Sequence, residues 1–155
     1  MKKNKIKDTG LEITELSFGT SSLGSMPDTY GYEVPEERAQ KTLNRFFQGP
    51  VNMLDTSRNY AMGESEKRIG RAIKENGGWP KDFLLSTKLD RNMDTLVLDK
   101  NRARESLEES LKTLNVDSVD ILFLHDPEYA KDITCLLYTS PSPRDSDSSR
   151  MPSSA

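Results

Sequence analysis

Four short apolar segments recur along the chain at nearly constant intervals, and this repeat constrains the fold more than any other feature. They occupy residues 16–20, 51–55, 83–88 and 119–125, so their starts lie 35, 32 and 36 residues apart. A strand–helix–strand unit needs roughly 30 or more residues. The spacing therefore predicts four β-strands with one helix in each interval.

Each interval between these segments carries apolar residues three or four positions apart, which is the spacing of one helical face. Strands that alternate with amphipathic helices form a parallel sheet with the helices outside it. Two architectures satisfy this pattern, a doubly wound sheet and a (β/α) barrel. The predicted inward faces are Ala39, Leu43, Phe46 and Phe47 in the first helix, Ile69, Ala72 and Ile73 in the second, and Ala103, Leu107, Leu111 and Leu114 in the third.

The two ends of the chain depart from this alternation. Residues 1–15 precede this alternation, and Leu11, Ile13 and Leu16 alternate with polar residues, which predicts a short hairpin-like lead-in. Residues 134–155 contain seven serines and three prolines and only one short apolar stretch. Such a segment buries too little apolar surface to offset its ordering entropy. We therefore expect residues 1–133 to form the folded unit, followed by a disordered, non-native tail.

Composition and charge exclude several classes of protein. No run of about 18 apolar residues is present, which argues against a membrane span. The lysine-rich start is not followed by an apolar segment, so it does not resemble a secretory signal. A net charge of -3 gives no reason to expect nucleic acid, and a single cysteine allows neither an internal disulfide nor a Cys/His metal site. We expect a soluble, cytoplasmic protein without a metal.

Three of the four predicted strands end in a titratable residue, namely Asp55, Lys88 and His125, and the first ends in Gly19 and Thr20. Active sites of parallel α/β folds form at the carboxyl ends of strands. Taken singly, these residues have ordinary explanations: a helix cap, a solvated lysine and a structural histidine. Three at equivalent strand ends favour a shared site, because buried polar groups need partners.

The residues around these strand ends resemble the signature of the aldo-keto reductases. Residues 54–66 read Leu-Asp-Thr-Ser-Arg-Asn-Tyr-Ala-Met-Gly-Glu-Ser-Glu, with an Asp-Thr pair, a tyrosine five residues after the aspartate, and then Gly, Ser and Glu. Residues 85–88 and 119–125 are similar to the family's strands that end in lysine and histidine. Residues 16–24 are similar to its first strand and nicotinamide-side loop. The four matches follow the family's order and cover about residues 10–133.

The resemblance implies an α/β fold, the N-terminal half of a (β/α)8 TIM barrel, and an oxidoreductase that uses NAD or NADP. It implies that Tyr60 transfers a proton and that the Lys88 ammonium favours its phenolate form. Asp55 would hold Lys88, and His125, in its neutral form, would hydrogen-bond the reacting oxygen. The residues expected to lie against the nicotinamide end of the cofactor are Gly19, Thr20, Ser21 and Asp55.

A narrower resemblance is to the aldose 1-dehydrogenase branch, which includes L-fucose and D-galactose dehydrogenases. It is carried by residues 88–92, 106–111 and 125–128. It implies hydride transfer from the anomeric carbon of an aldose, which becomes a lactone. Three alternatives stay open: a reductase of small aldehydes or ketones, a cofactor-binding regulatory subunit of an ion channel, and an independent half-barrel that dimerises. The choice between NAD and NADP, the sugar and the oligomeric state also stay open.

A complete (β/α) barrel has eight units in typically about 250 residues. The predicted elements amount to four strands and three helices, and no segment resembles the later loops that hold the family's adenine and phosphate groups. A half barrel leaves its first and fourth strands as open edges and exposes apolar interior side chains. We therefore expect the 155-residue polypeptide to be a truncated barrel that is poorly soluble or oligomeric, and inactive.

Overall fold

The computed structural model describes residues 1–130. The predicted boundary at residue 133 and the predicted tail, 134–155, lie outside the described residues. The strands are β1 (Lys3–Lys5), β2 (Glu12–Thr14), β3 (Phe18–Gly19), β4 (Met53–Asp55), β5 (Leu84–Leu89) and β6 (Ile121–Leu124). The helices are α1 (Pro27–Tyr30), α2 (Glu36–Phe47), α3 (Glu64–Glu75) and α4 (Lys100–Leu114), and 3-10 turns span Ser21–Gly24, Tyr60–Gly63 and Pro127–Tyr129.

The four predicted strands form one parallel sheet in the order β3-β4-β5-β6. A doubly wound sheet reverses its strand order at a switch point. This sheet instead keeps the order of the chain throughout, and α2, α3 and α4 connect its successive strands. The strand order therefore favours the (β/α) barrel over the doubly wound alternative.

The three predicted helices are α2, α3 and α4, and local signals mark their ends. α2 begins directly after Pro35, whose fixed φ suits a helix start. α3 stops two residues before Gly77, which has a φ of +81° that ends the helix. The Asp99 side chain caps α4 by accepting a hydrogen bond from Arg102 N at 2.9 Å. α1 is only one turn long, too short to show a helical period, and the sequence pattern does not predict it.

Each of the three helices buries the apolar face that its spacing predicts. These faces pack on one side of the sheet, where they form a single core with the outward residues of the strands. The fully or nearly buried positions are Ala39, Leu43, Phe46, Ile69, Ala72, Ile73, Ala103, Leu107 and Leu114, with Phe47 and Leu111 partly buried.

β1 and β2 form the predicted antiparallel hairpin. Asn52, a buried residue just before β4, attaches this hairpin to the sheet. Its Oδ1 accepts hydrogen bonds from Thr14 N at 2.9 Å and Thr14 Oγ1 at 3.0 Å, and its Nδ2 donates to Glu12 O at 2.9 Å. Because Asn52 precedes β4, the hairpin lies at the amino end of the sheet, opposite the strand ends where the site residues stand.

The two faces of the sheet differ in chemistry, because side chains alternate along a strand. The helix-covered face carries Leu54, Leu85 and Leu89, each at most 4% exposed. The opposite face carries Asp55 and Phe123, and Phe123 is 48% exposed. Within residues 1–130, β3 and β6 lie at the two edges of this sheet. The uncovered face corresponds to the interior of a barrel.

Helices α3 and α4 approach each other closely at Gly70. A Cβ at this position would lie 2.0 Å from Thr113 O, and Asn115 Nδ2 donates a hydrogen bond to Gly70 O at 3.1 Å. We expect Gly70→Ala to lower the free energy of unfolding by about 1–3 kcal/mol, because the α4 backbone must move to admit the methyl group. Urea denaturation of the full chain measures this change.

The matched control for Gly70→Ala is Lys67→Ala, which alters an exposed position of the same helix. We expect the control to change the free energy of unfolding by no more than about 0.5 kcal/mol. Equal stability of Gly70→Ala and the unaltered chain would contradict the close helix contact.

Candidate active site

An ion pair between Asp55 and Lys88 stands at the carboxyl ends of β4 and β5. Lys88 Nζ lies 2.7 Å from Asp55 Oδ2 and donates a second hydrogen bond to Thr56 O at 2.8 Å. The other carboxylate oxygen, Asp55 Oδ1, accepts from Ser86 Oγ at 2.8 Å. Strand register explains this convergence, since Asp55 pairs with Ser86 and Lys88 follows two positions later on the same face. The Lys88 side chain is only 11% exposed, so these partners replace most of its contacts with water.

The Tyr60 ring lies against the Lys88 ammonium, with Nζ 4.8 Å from the ring centroid. This is within the range of a cation–π contact. A strained turn follows Tyr60: Ala61 and Met62 have φ values of 51° and 54°, and Gly63 has a φ of 88°. Left-handed φ costs a non-glycine residue roughly 1–2 kcal/mol, and such strain clusters at functional sites. This turn lies immediately before α3 and holds Tyr60 near the carboxyl ends of the strands.

His125 follows β6 and completes the cluster. Its ring centroid lies 5.8 Å from that of Tyr60, with the ring planes at 86°. Its backbone N–H donates to Leu89 O at 3.2 Å, which continues the pairing of β5 with β6. The structure thus brings the four residues expected to be catalytic, Asp55, Tyr60, Lys88 and His125, together at the carboxyl ends of the strands.

Gly19, Thr20 and Ser21, which are expected to contact the cofactor, lie at the end of β3 beside Asp55 of β4. They differ in whether their side chains are already bonded within the protein. Gly19 pairs with Asp55 across the sheet, and a Cβ added there would meet nothing within 4 Å. Thr20 is 1% exposed, and its hydroxyl donates to Asp55 O at 2.8 Å. Ser21 Oγ shares a short hydrogen bond with Tyr30 OH. Gly19 therefore leaves its side of the sheet open, whereas the side-chain hydroxyls of Thr20 and Ser21 make hydrogen bonds within the protein.

The sequence candidates omit three polar residues of this cluster, namely Ser57, Ser86 and Asp90. Ser57 Oγ donates to Asp90 Oδ2 at 2.8 Å and lies 3.3 Å from His125 Nδ1. Asp90 is fully buried, and its Oδ1 makes a short hydrogen bond with His125 Nδ1. A usable signal existed for Asp90, because it directly follows the apolar strand β5. The alternation along β5 likewise places Ser86 on the same face as Lys88.

A second buried carboxyl, that of Glu66, lies on the other side of β5. Thr87 Oγ1 donates to Glu66 Oε1 at 2.7 Å, and Thr87 points away from Lys88, its neighbour along the strand. Burial raises the pKa of Glu66 to about 7, although the nearby hydroxyls of Thr87 and Ser110 oppose the shift. Glu66 Oε2 makes no hydrogen bond within residues 1–130. This carboxyl is therefore a source of pH-dependent stability behind the site.

In residues 1–130, no three or more His, Cys, Asp or Glu side chains are grouped so that they could hold a metal ion. No helix of that part is long and apolar enough to cross a membrane.

Known proteins of similar sequence point to one family. The model of the aldo/keto reductase family matches residues 15–140. L-galactose dehydrogenase of Arabidopsis thaliana is 36% identical over 122 residues, which cover 79% of this chain and 37% of that protein. An aldo-keto reductase of Bacillus subtilis (strain 168) is 33% identical over 131 residues, 83% of this chain and 39% of the relative. A probable voltage-gated potassium channel subunit beta of Arabidopsis thaliana is 30% identical over 131 residues, with coverage of 83% and 38%.

Solved structures give the same result for the fold. An aldo-keto reductase of Bacillus halodurans, in its holo form, matches with a TM-score of 0.65 and 28% identity, over 80% of this chain and 40% of that one. The chain thus spans well under half the length of these relatives. The predicted fold, the N-terminal half of a (β/α)8 barrel, is confirmed. Since the family match extends over most of the sequence, the chain belongs to the aldo/keto reductase family.

Proposed function

We propose that this chain contributes the proton-transfer residues of an NAD(P)-dependent oxidoreductase that oxidises the anomeric carbon of an aldose to a lactone. The observation that carries the proposal is the position of Lys88 Nζ, which contacts Asp55 Oδ2 at 2.7 Å and lies 4.8 Å from the centroid of the Tyr60 ring. The proposal assigns to the Lys88 ammonium the stabilisation of negative charge on the Tyr60 oxygen during proton transfer. This arrangement suits a tyrosine that accepts a proton.

The proposed roles follow from hydrogen-bonding capacity. An ammonium group has three donors. Lys88 Nζ donates two of its three hydrogens to Asp55 Oδ2 and Thr56 O, and these bonds fix its position. The third hydrogen is left for another partner in the site. Tyr60 accepts the proton of the substrate hydroxyl while that carbon is oxidised, and His125 orients the substrate. NAD or NADP would supply the hydride acceptor when bound, and Gly19, Thr20, Ser21 and Asp55 are the residues that would lie against its nicotinamide end.

Two observations support an aldose as the substrate. L-galactose dehydrogenase is 36% identical to the chain, and residues 125–128 read His-Asp-Pro-Glu, as in the aldose 1-dehydrogenase branch. A reductase of small aldehydes or ketones is the alternative within the family. The similarity to a potassium channel subunit beta supports a second candidate, a nucleotide-binding regulatory subunit. The presence of all four expected catalytic residues in one cluster favours turnover over binding alone.

The test uses a chimera, defined as residues 1–130 joined to the complementary part of the Arabidopsis L-galactose dehydrogenase. This design supplies the remainder of a barrel, since the chain matches only 37% of that protein. We expect aldoses to reduce NAD+ or NADP+, as measured by the absorbance of the reduced nicotinamide, and Lys88→Met to abolish the reaction. Faster turnover of small aldehydes would favour the reductase alternative. Nucleotide binding without turnover would favour the regulatory subunit.

A further inference from the structure

We propose that Glu109 of α4 is a positioning residue that acts through Arg58 to hold the Tyr60 turn, defined as residues 58–63. The inference rests on the proposed function and deepens it, because it states what keeps the proton-accepting tyrosine beside the Lys88 ammonium. Glu109 touches no reacting atom and acts only through the Arg58 guanidinium.

Arg58 begins the Tyr60 turn, and its guanidinium packs against Gly63, which ends the turn. A Cβ added to Gly63 would lie 2.7 Å from Arg58 Nη1. This contact and the φ of 88° at Gly63 both require a residue without a side chain at that position. The guanidinium therefore supports one side of a turn whose left-handed residues are strained.

Glu109 is the group that orients Arg58. Its Oε2 lies 3.2 Å from Arg58 Nε, which places a negative charge beside the guanidinium. Within residues 1–130, Arg58 forms no ion pair with any other carboxylate. The direction in which the Arg58 side chain points, and with it the contact to Gly63, is therefore fixed from α4.

Arg102 in turn anchors Glu109, seven residues further along the same helix. Its Nη1 and Nη2 donate to the two carboxylate oxygens of Glu109 at 3.3 Å and 2.9 Å, and its Nε donates to Asp90 O at 3.2 Å. Two parallel bonds fix the direction of a carboxylate. The hydrogen bond from Arg102, with the charge of Arg58, lowers the pKa of Glu109, so the carboxylate is ionised at neutral pH.

These contacts should matter for the position of the turn more than for the stability of the chain. The side chains of Arg58 and Glu109 are 33% and 43% exposed, and ion pairs at such exposure add little to the free energy of unfolding. The packing of α4 rests instead on Ala103, Leu107 and Leu114, which are buried. Loss of the Glu109 carboxylate should therefore loosen the turn and leave the helices in place.

Hydrogen exchange of the full chain, followed by mass spectrometry, tests this role without turnover. In Glu109→Gln the amide oxygen can still accept from Arg102, but the amide NH2 cannot accept from Arg58. The backbone N–H groups of Tyr60 and Met62 donate hydrogen bonds of 3.2 Å that close the turn. We expect the peptide that covers the turn to exchange about tenfold faster, and peptides from α3, α4 and β5 to keep their rates.

Glu108→Gln is the matched control, because Glu108 is the adjacent acid on α4 and pairs with the exposed Arg104 at 3.3 Å. It should leave the exchange of the turn unchanged. Arg58→Met should also speed this exchange, and the double variant with Glu109→Gln should exchange no faster than Arg58→Met alone. An unchanged turn in Glu109→Gln, an equal acceleration of every peptide, or additive effects in the double variant would each overturn the proposal.

The chimera adds a catalytic readout. We expect Glu109→Gln to lower kcat about tenfold and to leave KM for aldose and nucleotide within about twofold, because the proton acceptor is misplaced while the binding groups remain. In a Tyr60→Phe chimera the same substitution should cause no further loss, and an equal loss there would overturn the proposal. An inactive chimera would count against the proposed function only, since the exchange of the turn decides the role of Glu109.

Discussion

Replacement of Tyr60 by phenylalanine is expected to lower kcat for aldose oxidation by the chimera about 10²- to 10⁴-fold, the usual contribution of general acid–base catalysis. Phenylalanine keeps the aromatic ring that lies 4.8 Å from Lys88 Nζ. It removes only the hydroxyl that accepts the proton, so the ion pair between Lys88 and Asp55 should remain. The measurement is kcat at saturating nucleotide and aldose, with circular dichroism to compare the folds of the two proteins.

Tyr129→Phe provides the matched control. Tyr129 follows His125 closely in the chain, is 41% exposed, and lies under the Arg91 guanidinium at 3.7 Å from the ring centroid. Loss of its hydroxyl should leave kcat nearly unchanged, because nothing places that group in the cluster. A Tyr60→Phe enzyme that keeps most of the original kcat would show that another group transfers the proton.

A second large effect is expected from Glu66→Gln, which should raise the free energy of unfolding by about 3 kcal/mol above neutral pH and change it little in mild acid. Burial raises the pKa of Glu66 from 4.5 to about 7, so the folded chain binds this proton more tightly than the unfolded chain does. Stability is therefore lost as the pH rises from 4.5 through about 7. Glutamine cannot ionise, yet its side-chain oxygen can still accept the Thr87 hydrogen bond.

Urea denaturation of the full chain at a series of pH values on both sides of this window tests the Glu66 prediction. The control is Glu75→Gln, which alters an exposed carboxyl at the end of the same helix and should show no comparable pH dependence. A stability difference between Glu66→Gln and the unaltered chain that is the same at every pH would contradict the raised pKa.

Much of the fold could be predicted because its signals are local. The spacing of Leu43 and Ile69 with their neighbours predicts buried helix faces, since a period of 3.6 residues is a property of the helix itself. The four apolar segments likewise predict the strands of the parallel sheet. The order of those strands could not be predicted from periodicity, which left the doubly wound sheet open. The one-turn helix α1 could not be predicted either, because four residues do not show a period.

The candidate site likewise contains residues that local sequence signals predict and contacts that they do not predict. Asp55, Lys88 and His125 could be found because each ends one of the apolar segments of the sequence, and Tyr60 because of the family signature around it. The alternation of side chains along the strands did not indicate that the Thr20 hydroxyl donates a hydrogen bond to Asp55 O. It also did not indicate that the Thr87 hydroxyl donates to Glu66. These contacts join residues that are distant in the chain, so no local pattern reports them.

The sequence by itself determined which residue types stand at the strand ends, and its resemblance to a family determined the chemistry to expect of them. Only the tertiary structure decided how they pair: Lys88 with Asp55, 33 residues apart, and His125 with Asp90, 35 residues apart. The physical reason is strand register, because a shift of one residue turns every side chain of a strand to the opposite face. Register depends on packing across the whole sheet, and the pairing of Asp90 with His125 exists only once that register is set.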